Sequence, residues 1–465
     1  MSLLSVLWAI NLSRSMNYIH HIKRTWLLSL PLVGSQLAQI AINTTDTVML
    51  GWHGTFSLAS GVLGTQAVFF FFIFGAGFGH AVVPLASSAF AKDDTRSLRR
   101  AMRMGLWITG LVVLVSMPIM WNVESIFVSL GQDADVSSLA AEYVRVAQWS
   151  LFPALWALVF RNFFATLEKA QIVFWAIVPG ILLNVLLNYM LIFGNWGAPE
   201  LGVVGAAWAS LGTNIIIMVV LVGWLYIHKQ YRQYELLTRV WRSDWAVFWR
   251  VTKLGLPISI SILAEISMFS GASLLMGWIG PIELAAHGIA LQVAAIAFMI
   301  PLGISGAATI RVSNAYGRDN MSDILLASKA ALVVAMFFAL ITAVFIALFS
   351  VQLVNLFLDS SNSDAAIVAA IAIPLVLVAA AFQFVDSGQV IAAGVLRGFQ
   401  DATMPMIINL VCYSFGLALA YLLCFHFELG PVGIWYGLTA GLAFSFICLG
   451  ARYFQKIKQI GREIA

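Results

Sequence analysis

Residues 30–54 read LPLVGSQLAQIAINTTDTVMLGWHG, and residues 256–280 read LPISISILAEISMFSGASLLMGWIG. Laid over each other they pair Pro31 with Pro257, Gly51-Trp52 with Gly277-Trp278 and Gly54 with Gly280, at a constant offset of 226 residues. The register runs on without a gap: Gln66 meets Gln292, Gly77 meets Gly303, and Lys92-Asp93 meets Arg318-Asp319. Apolar bias can set leucine over leucine, but not Pro, Gly, Trp and a basic–acidic pair together. A looser match follows, LEKAQ (167–171) with FQDAT (399–403) and GVVGAAW (202–208) with GPVGIWY (430–436). The chain is one unit written twice.

That unit is built for lipid. Of 465 residues, 61% are hydrophobic and only 10% charged, with a mean hydropathy of +0.92. A soluble domain carries about 25% charged residues. A helix crosses a bilayer with roughly 20 apolar residues. About twelve such spans can be laid out, at 26–50, 58–90, 102–121, 139–165, 171–193, 203–227, 249–278, 284–311, 326–349, 365–396, 404–425 and 431–453. The apolar runs are continuous rather than alternating, which excludes a β-barrel and leaves an all-α polytopic membrane protein. Six spans per repeat preserve direction, so the two bundles are related by an axis along the membrane normal.

Charge gives the orientation. Lys and Arg collect in alternate loops, while the opposite loops carry acids such as Glu124, Asp133, Glu200, Glu283, Asp359 and Glu428. Arg145 alone breaks the pattern. The positive-inside rule places both termini in the cytoplasm. The expected organisation is an N-terminal segment over 1–25, a six-helix lobe over 26–228, a polar linker over 229–247, a second lobe over 248–455 and a tail over 456–465. Met16 offers an alternative start, since the first residues lack the charged opening and cleavage site of a signal peptide.

Three acids fall inside spans: Asp46, Glu265 and Asp386. A charge at the bilayer centre costs about 2.5–3.5 kcal/mol on insertion scales, so each asks for a reason. A carboxylate in low dielectric resists standing bare. It takes a proton, binds sodium or pairs with a cationic ligand, and where these exclude one another one cation displaces another. Asn184 and Asn188 lie four apart, on one helix face, and their amide oxygens suit a hard cation. Ser210 offers a hydroxyl. Gln66 and Gln292, equivalent in the two repeats, are candidates for a substrate cavity. The reading is of coupling residues Asp46, Glu265, Asp386, Asn184, Asn188 and Ser210. A sodium ion would sit at Asp46, Asn184 and Asn188 or at Glu265 and Asp386.

The 13% aromatic content, the FFFFIF run at 69–74 and sixteen methionines suit a cavity for varied lipophilic ligands. Cys412, Cys424 and Cys448 read as buried small residues, and His80 and His287 as packing or interfacial. No HExxH, GxSxG or P-loop appears in context, so no enzyme activity and no cofactor are expected. Transport would draw on an ion gradient. The basic loops are accounted for by topology and imply no nucleic-acid partner; the expected partners are cationic small molecules and membrane lipids, with a monomer as default.

DTVMLG (46–51), LLNVLLNYMLIFGNWGAPELGVVGAAWAS (182–210), ELAAHGIALQ (283–292) and AAGVLRGFQDATMPM (392–406) together make the chain resemble the multidrug and toxic compound extrusion (MATE) transporters, in their NorM-type bacterial branch. The resemblance covers roughly 25–455. It implies two six-helix lobes in a V within the bacterial inner membrane, and export of cationic lipophilic drugs and dyes against sodium or protons. The family's first-helix aspartate matches Asp46, its fifth-helix pair matches Asn184 and Asn188, and its sixth-helix threonine falls on Ser210. Its second-lobe acids match Glu265 and Asp386. A tyrosine often found four residues before that last aspartate is Phe382 here, which removes a phenol ligand. Two alternatives stand beside this reading. One is a lipid-linked oligosaccharide flippase of the same superfamily, against which the inner spans offer acids rather than Lys or Arg. The other is a polytopic receptor or membrane enzyme.

Overall fold

The computed structural model describes residues 3–358 and 364–464, so Asp359 lies outside the described residues. The chain is helical, and among the described residues no strand forms. In order come α1 Leu3–His53, α2 Thr55–Ala91, α3 Thr95–Trp121, α4 Val123–Ser129, α5 Ala134–Ala147, α6 Leu151–Thr166, α7 Ala170–Phe193, α8 Gly202–Ile227 and the short α9 Lys229–Arg232. The second repeat supplies α10 Trp245–Ile279, α11 Pro281–Gly317, α12 Met321–Leu348, α13 Ser350–Asn355, α14 Ala365–Gly398, α15 Thr403–Tyr421 and α16 Gly430–Ile464.

Among the described residues, eleven helices are long and apolar enough to cross a membrane. The span expected at 139–165 is instead a pair, α5 and α6, joined by a 3-10 turn over Gln148–Ser150. Pro153 has no N–H to return to the carbonyl one turn back, and Ser150 Oγ donates to the Ala147 carbonyl at 2.6 Å, which tightens the chain there.

The repeat is visible in the backbone itself. Asp93 and Asp319 take left-handed φ of 55° and 53°, Glu168 and Gln400 take 57° and 60°, and Trp196 and Glu428 take 58° and 54°. Non-glycine residues rarely adopt this region, so three matched pairs mean that the turns were copied with the sequence. The helices that follow the first pair are capped alike. Asp94 accepts from the Ser97 N–H at 2.9 Å and Asn320 from the Asp323 N–H at 3.1 Å.

Contacts divide the chain into two compact units, Gly34–Leu263 and Met1–Val33 with Ala264–Ala465. The division falls inside α1 and α10, not in the polar 229–247 segment.

In the unit of 34–263 the opening of α10 packs on α2. A Cβ on Gly77 would lie 2.4 Å from Ser259 N, and Ser259 Oγ donates to the Phe74 carbonyl at 2.6 Å. Only glycine permits that approach. The polar segment is fastened to α3: Arg99 pairs with Glu235, Arg100 with Asp244, and Trp107 Nε1 donates to the Val240 carbonyl at 2.7 Å. The Arg100 hydrogen bond holds the Asp244 carboxyl below its usual range despite partial burial. Arg145, the exception to the charge pattern, faces Glu124 at 3.4 Å.

In the other unit the opening of α1 packs on α11 in the equivalent way, a Cβ on Gly303 falling 2.7 Å from Val33 N. Arg311 holds α1 by donating to the His21 carbonyl at 2.7 Å and to Thr25 Oγ1, and Trp26 stacks on Phe338 at 4.6 Å. Helices α11 and α14 are joined by a ladder. Ser305, Thr309 and Ser313 donate to the carbonyls of Val390, Gly394 and Gly398 at 2.7, 2.8 and 2.8 Å. Hydroxyls four apart meet carbonyls four apart, the geometry of small polar residues between spans.

Candidate functional site

Asp46 lies on α1 and is met from α7 and α8. Gly205 lets α8 come close to α7, since a Cβ there would sit 2.3 Å from the Leu191 carbonyl oxygen. That approach brings Ser210 beside Asn184 and Asn188. Asn184 Nδ2 donates to Asp46 Oδ1 at 2.9 Å and Asn188 Nδ2 to the same oxygen at 2.5 Å. Ser210 Oγ donates to Asp46 Oδ2 at 3.0 Å. Both asparagines are fully buried, and the Asn188 amide is also 3.3 Å from Asn184 Oδ1. Asn188 Oδ1 is left buried without a hydrogen-bond partner. The flanking Thr45 and Thr47 hydroxyls donate to the carbonyls of Ala41 and Asn43 on their own helix.

A cavity of about 100 Å³ opens on the α2 side of Asp46, lined also by Asn43, Thr47, Thr65 and Gln66. The space suits an ion with a few waters rather than a drug-sized ligand, which needs roughly 300 Å³ or more. Two neighbours here are not legible in the sequence. Thr65 Oγ1 donates to the Tyr143 hydroxyl at 3.1 Å, and that phenol lies within reach of Ser210 and Asp46. Tyr143 sits among small residues in AAEYVRVA, with no polar periodicity to single it out.

The other two acids meet in the second unit. Asp386, 2% exposed on α14, lies within electrostatic range of the half-buried Glu265 of α10. Asp386 Oδ1 has no partner, nor do the nearby side-chain oxygens of Gln383, Ser387 and Gln389. Gln389 Nε2 donates to the Tyr413 hydroxyl at 2.8 Å. Gln389 stands three residues from Asp386, a helical spacing from which it could have been found. The α14 stripe thus carries buried, unpartnered oxygens on either side of Asp386.

One expectation is corrected. Glu265 does have a basic group in range: Arg397, in the last turn of α14, donates to Ser305 Oγ at 3.2 Å and interacts with Glu265. Its place at a span end puts it among the loop cations in the sequence, but its long side chain reaches inward. Gln292 is exposed on α11, whereas Gln66 shares the Asp46 cavity. Phe382 is not free to be a ligand in any guise, being buried edge-on against Phe269 and Trp435 at 6.1 and 5.7 Å. His287 is likewise packed, with Nε2 3.1 Å from Ser273 Oγ. No cluster of three or more His, Cys, Asp or Glu that could hold a metal occurs among the described residues. Any cation here would be held mainly by amide, hydroxyl and single carboxylate oxygens.

The model of one protein family, MatE, matches residues 31–190 and 257–422, the two repeats in turn. The chain belongs to the MatE family. Its relatives include a protein named probable multidrug resistance protein NorM from Rhizobium meliloti (strain 1021), 44% identical over 95% of this chain and 94% of that one. A protein of the same name from Agrobacterium fabrum (strain C58 / ATCC 33970) is 41% identical over 96% of each chain. Among solved structures, one described as the outward-facing conformation of a multidrug resistance MATE family transporter of the MOP superfamily superposes with a TM-score of 0.87. It shares 21% identity over 95% of this chain and 97% of that one. The eukaryotic MATE transporter AtDTX14 superposes at 0.83 with 19% identity, over 96% and 100%. At such identities the structures speak for the fold, and the matched family model for membership. A member of this family is a multi-pass membrane transport protein and not an enzyme.

Proposed function

We propose that the protein is a multidrug exporter: a secondary antiporter that expels cationic lipophilic drugs or dyes across the bacterial inner membrane in exchange for sodium or protons. The relatives' printed names and the acids within spans support this reading. The observation that carries it is the Asp46 site, an intramembrane carboxylate met by three donors that can each reverse role. As arranged, two amides and a hydroxyl donate to Asp46 and stabilise it ionised. Turning an Asn amide about its last torsion presents oxygen in place of N–H. Asn188 Oδ1, buried and unpartnered, is the atom with most to gain. The same four residues then hold a sodium ion between carboxylate, amide and hydroxyl oxygens, or a carboxylic acid whose O–H donates to an amide oxygen. Loading and release at this site is coupled to drug movement by alternating access, with the basic loops and both termini in the cytoplasm. Glu265 and Asp386 form a second coupling site, where Arg397 offsets part of the charge. That offset also weakens the case for a phosphate-bearing flippase substrate, because Glu265 lies within electrostatic range of Arg397.

The test is purified protein in liposomes loaded with a fluorescent cationic dye. An inward sodium gradient or an inward proton gradient is imposed singly, with wild type beside Asp46→Asn. Dye export under one gradient, lost in the variant, is the expected result and names the ion. No gradient-driven dye movement with either ion overturns the antiporter reading in favour of the flippase.

A further inference from the structure

The start of α10 carries a second constellation, remote in composition from the acids. Trp241, Trp245 and Trp249 are 74%, 60% and 57% exposed. Trp245, Trp249 and Lys253 are spaced four apart and share one helix face, and Arg242 and Lys253 are themselves exposed. The acids of this stretch are already used, Glu235 by Arg99 and Asp244 by Arg100 and Arg103. The charge left over is positive.

Beside Trp249 lies a groove of about 280 Å³, walled by Phe74 and Phe78 of α2, Ile108 and Val112 of α3, and Phe248 of α10. Two lining residues carry hydroxyls, and both are spent on their own helices. Ser116 Oγ donates to the Val112 carbonyl at 2.7 Å and Thr252 Oγ1 to the Phe248 carbonyl at 2.9 Å. The groove is therefore dry and apolar, and its α3 wall from Ile108 to Ser116 runs for ~12 Å along the helix axis. Arg242 lies within electrostatic reach of Arg103, one turn before that wall, and Lys253 follows Thr252 at the α10 side.

We propose that this groove is a binding site for one anionic phospholipid of the leaflet that meets the basic loops. An acyl chain fills the groove, Arg242 and Lys253 meet the headgroup phosphate, and the three tryptophans sit at headgroup level. A lipophilic cation fits the walls as well, but it finds no acceptor inside and like charge at the mouth. The occupant follows from that charge.

Native mass spectrometry of the full-length protein, delipidated and titrated with dioleoyl-phosphatidylglycerol or dioleoyl-phosphatidylcholine, tests the site. Phosphatidylglycerol is expected to bind in preference. Arg242→Gln with Lys253→Gln should weaken it about 30-fold, two surface cations at their usual worth, and weaken phosphatidylcholine, whose choline offsets its phosphate, by much less. Val112→Trp, which fills the groove and keeps the charges, should remove the phosphatidylglycerol adduct. Equal binding of both lipids by the wild type, or an unchanged affinity in the double glutamine variant, overturns the proposal. So does displacement of the lipid by a cationic dye, which would make the groove a substrate site.

Discussion

Asn188 donates its amide to Asp46 at 2.5 Å while its own carbonyl oxygen, equally buried, bonds to nothing. Hydrogen bonds to a charged group contribute about 1.5–3 kcal/mol. Asn188→Leu should therefore lower thermal stability by about that amount and slow gradient-driven dye export by roughly tenfold or more. A melting temperature and an export rate both equal to wild type would remove Asn188 from the site.

Glu265 and Arg397 should behave as a unit. Removing Arg397 leaves Glu265 and Asp386 without the cation in electrostatic range of Glu265, and removing Glu265 takes a compensating charge from the guanidinium. The double variant Glu265→Gln with Arg397→Gln should thus be more stable than the sum of the single effects allows, by at least about 0.5 kcal/mol. Denaturation of all three variants in one detergent gives the cycle, and strict additivity would mean the two charges do not feel each other.

Helix glycines should divide by what surrounds them. At Gly77 a methyl group would overlap the Ser259 backbone, whereas at Gly223 nothing lies within 4 Å. Gly77→Ala is expected to destabilise by about 1–3 kcal/mol, and Gly223→Ala to stabilise by about 0.4–1 kcal/mol. Thermal denaturation of the pair reads the contrast, and similar melting temperatures for both would contradict the close approach of α10 to α2.

The Asp244 clamp has a defined pH window. Its carboxyl is held low mainly by the Arg100 hydrogen bond, with the Val247 N–H and nearby Arg charges adding to it. A depressed folded value means that the stabilisation is present above the ordinary carboxylate value of about 3.9. It is lost only as pH falls through the still lower folded value. A nitroxide at position 238 should therefore keep its mobility from pH 8 to pH 5 and loosen below about pH 4. Asp244→Asn should show the loosened spectrum at neutral pH. Loosening of the wild type near pH 6 would point to a different group.

What the sequence disclosed, and what it withheld, follows from where the information lies. Asn184 and Asn188 share a face by spacing alone, Asp46 is conspicuous as an acid in an apolar run, and Ser210 is among the named coupling residues, so all three donors to that carboxylate are expected from the sequence. Tyr143 and Thr65 join them only because α2 and α5 pack side by side, and no local pattern records that. Arg397 stands at a span end in the sequence and so counts with the loop cations, because position along the helix does not show how far a guanidinium reaches. The offset of 226 residues foretold the matched turns at Asp93 and Asp319. It could not foretell that the polar segment would be pinned by Arg99 and Arg100, since ion pairs over more than a hundred residues depend on the finished packing.

The packing of Val33 on Gly303 has a consequence for biogenesis. The opening of α1 belongs to a unit whose other segment begins at Ala264, inside α10, so it leaves the ribosome some 230 residues ahead of its hosts. At ordinary rates of synthesis this is a wait on the order of 10–50 s. During that interval Arg311 has not been made, and Thr25 and His21 have nothing to hold. The opening of α1 is made before its hosts and can be seated only after them. A lesion there is expected to strike the assembly of the later-made unit, far from it in sequence.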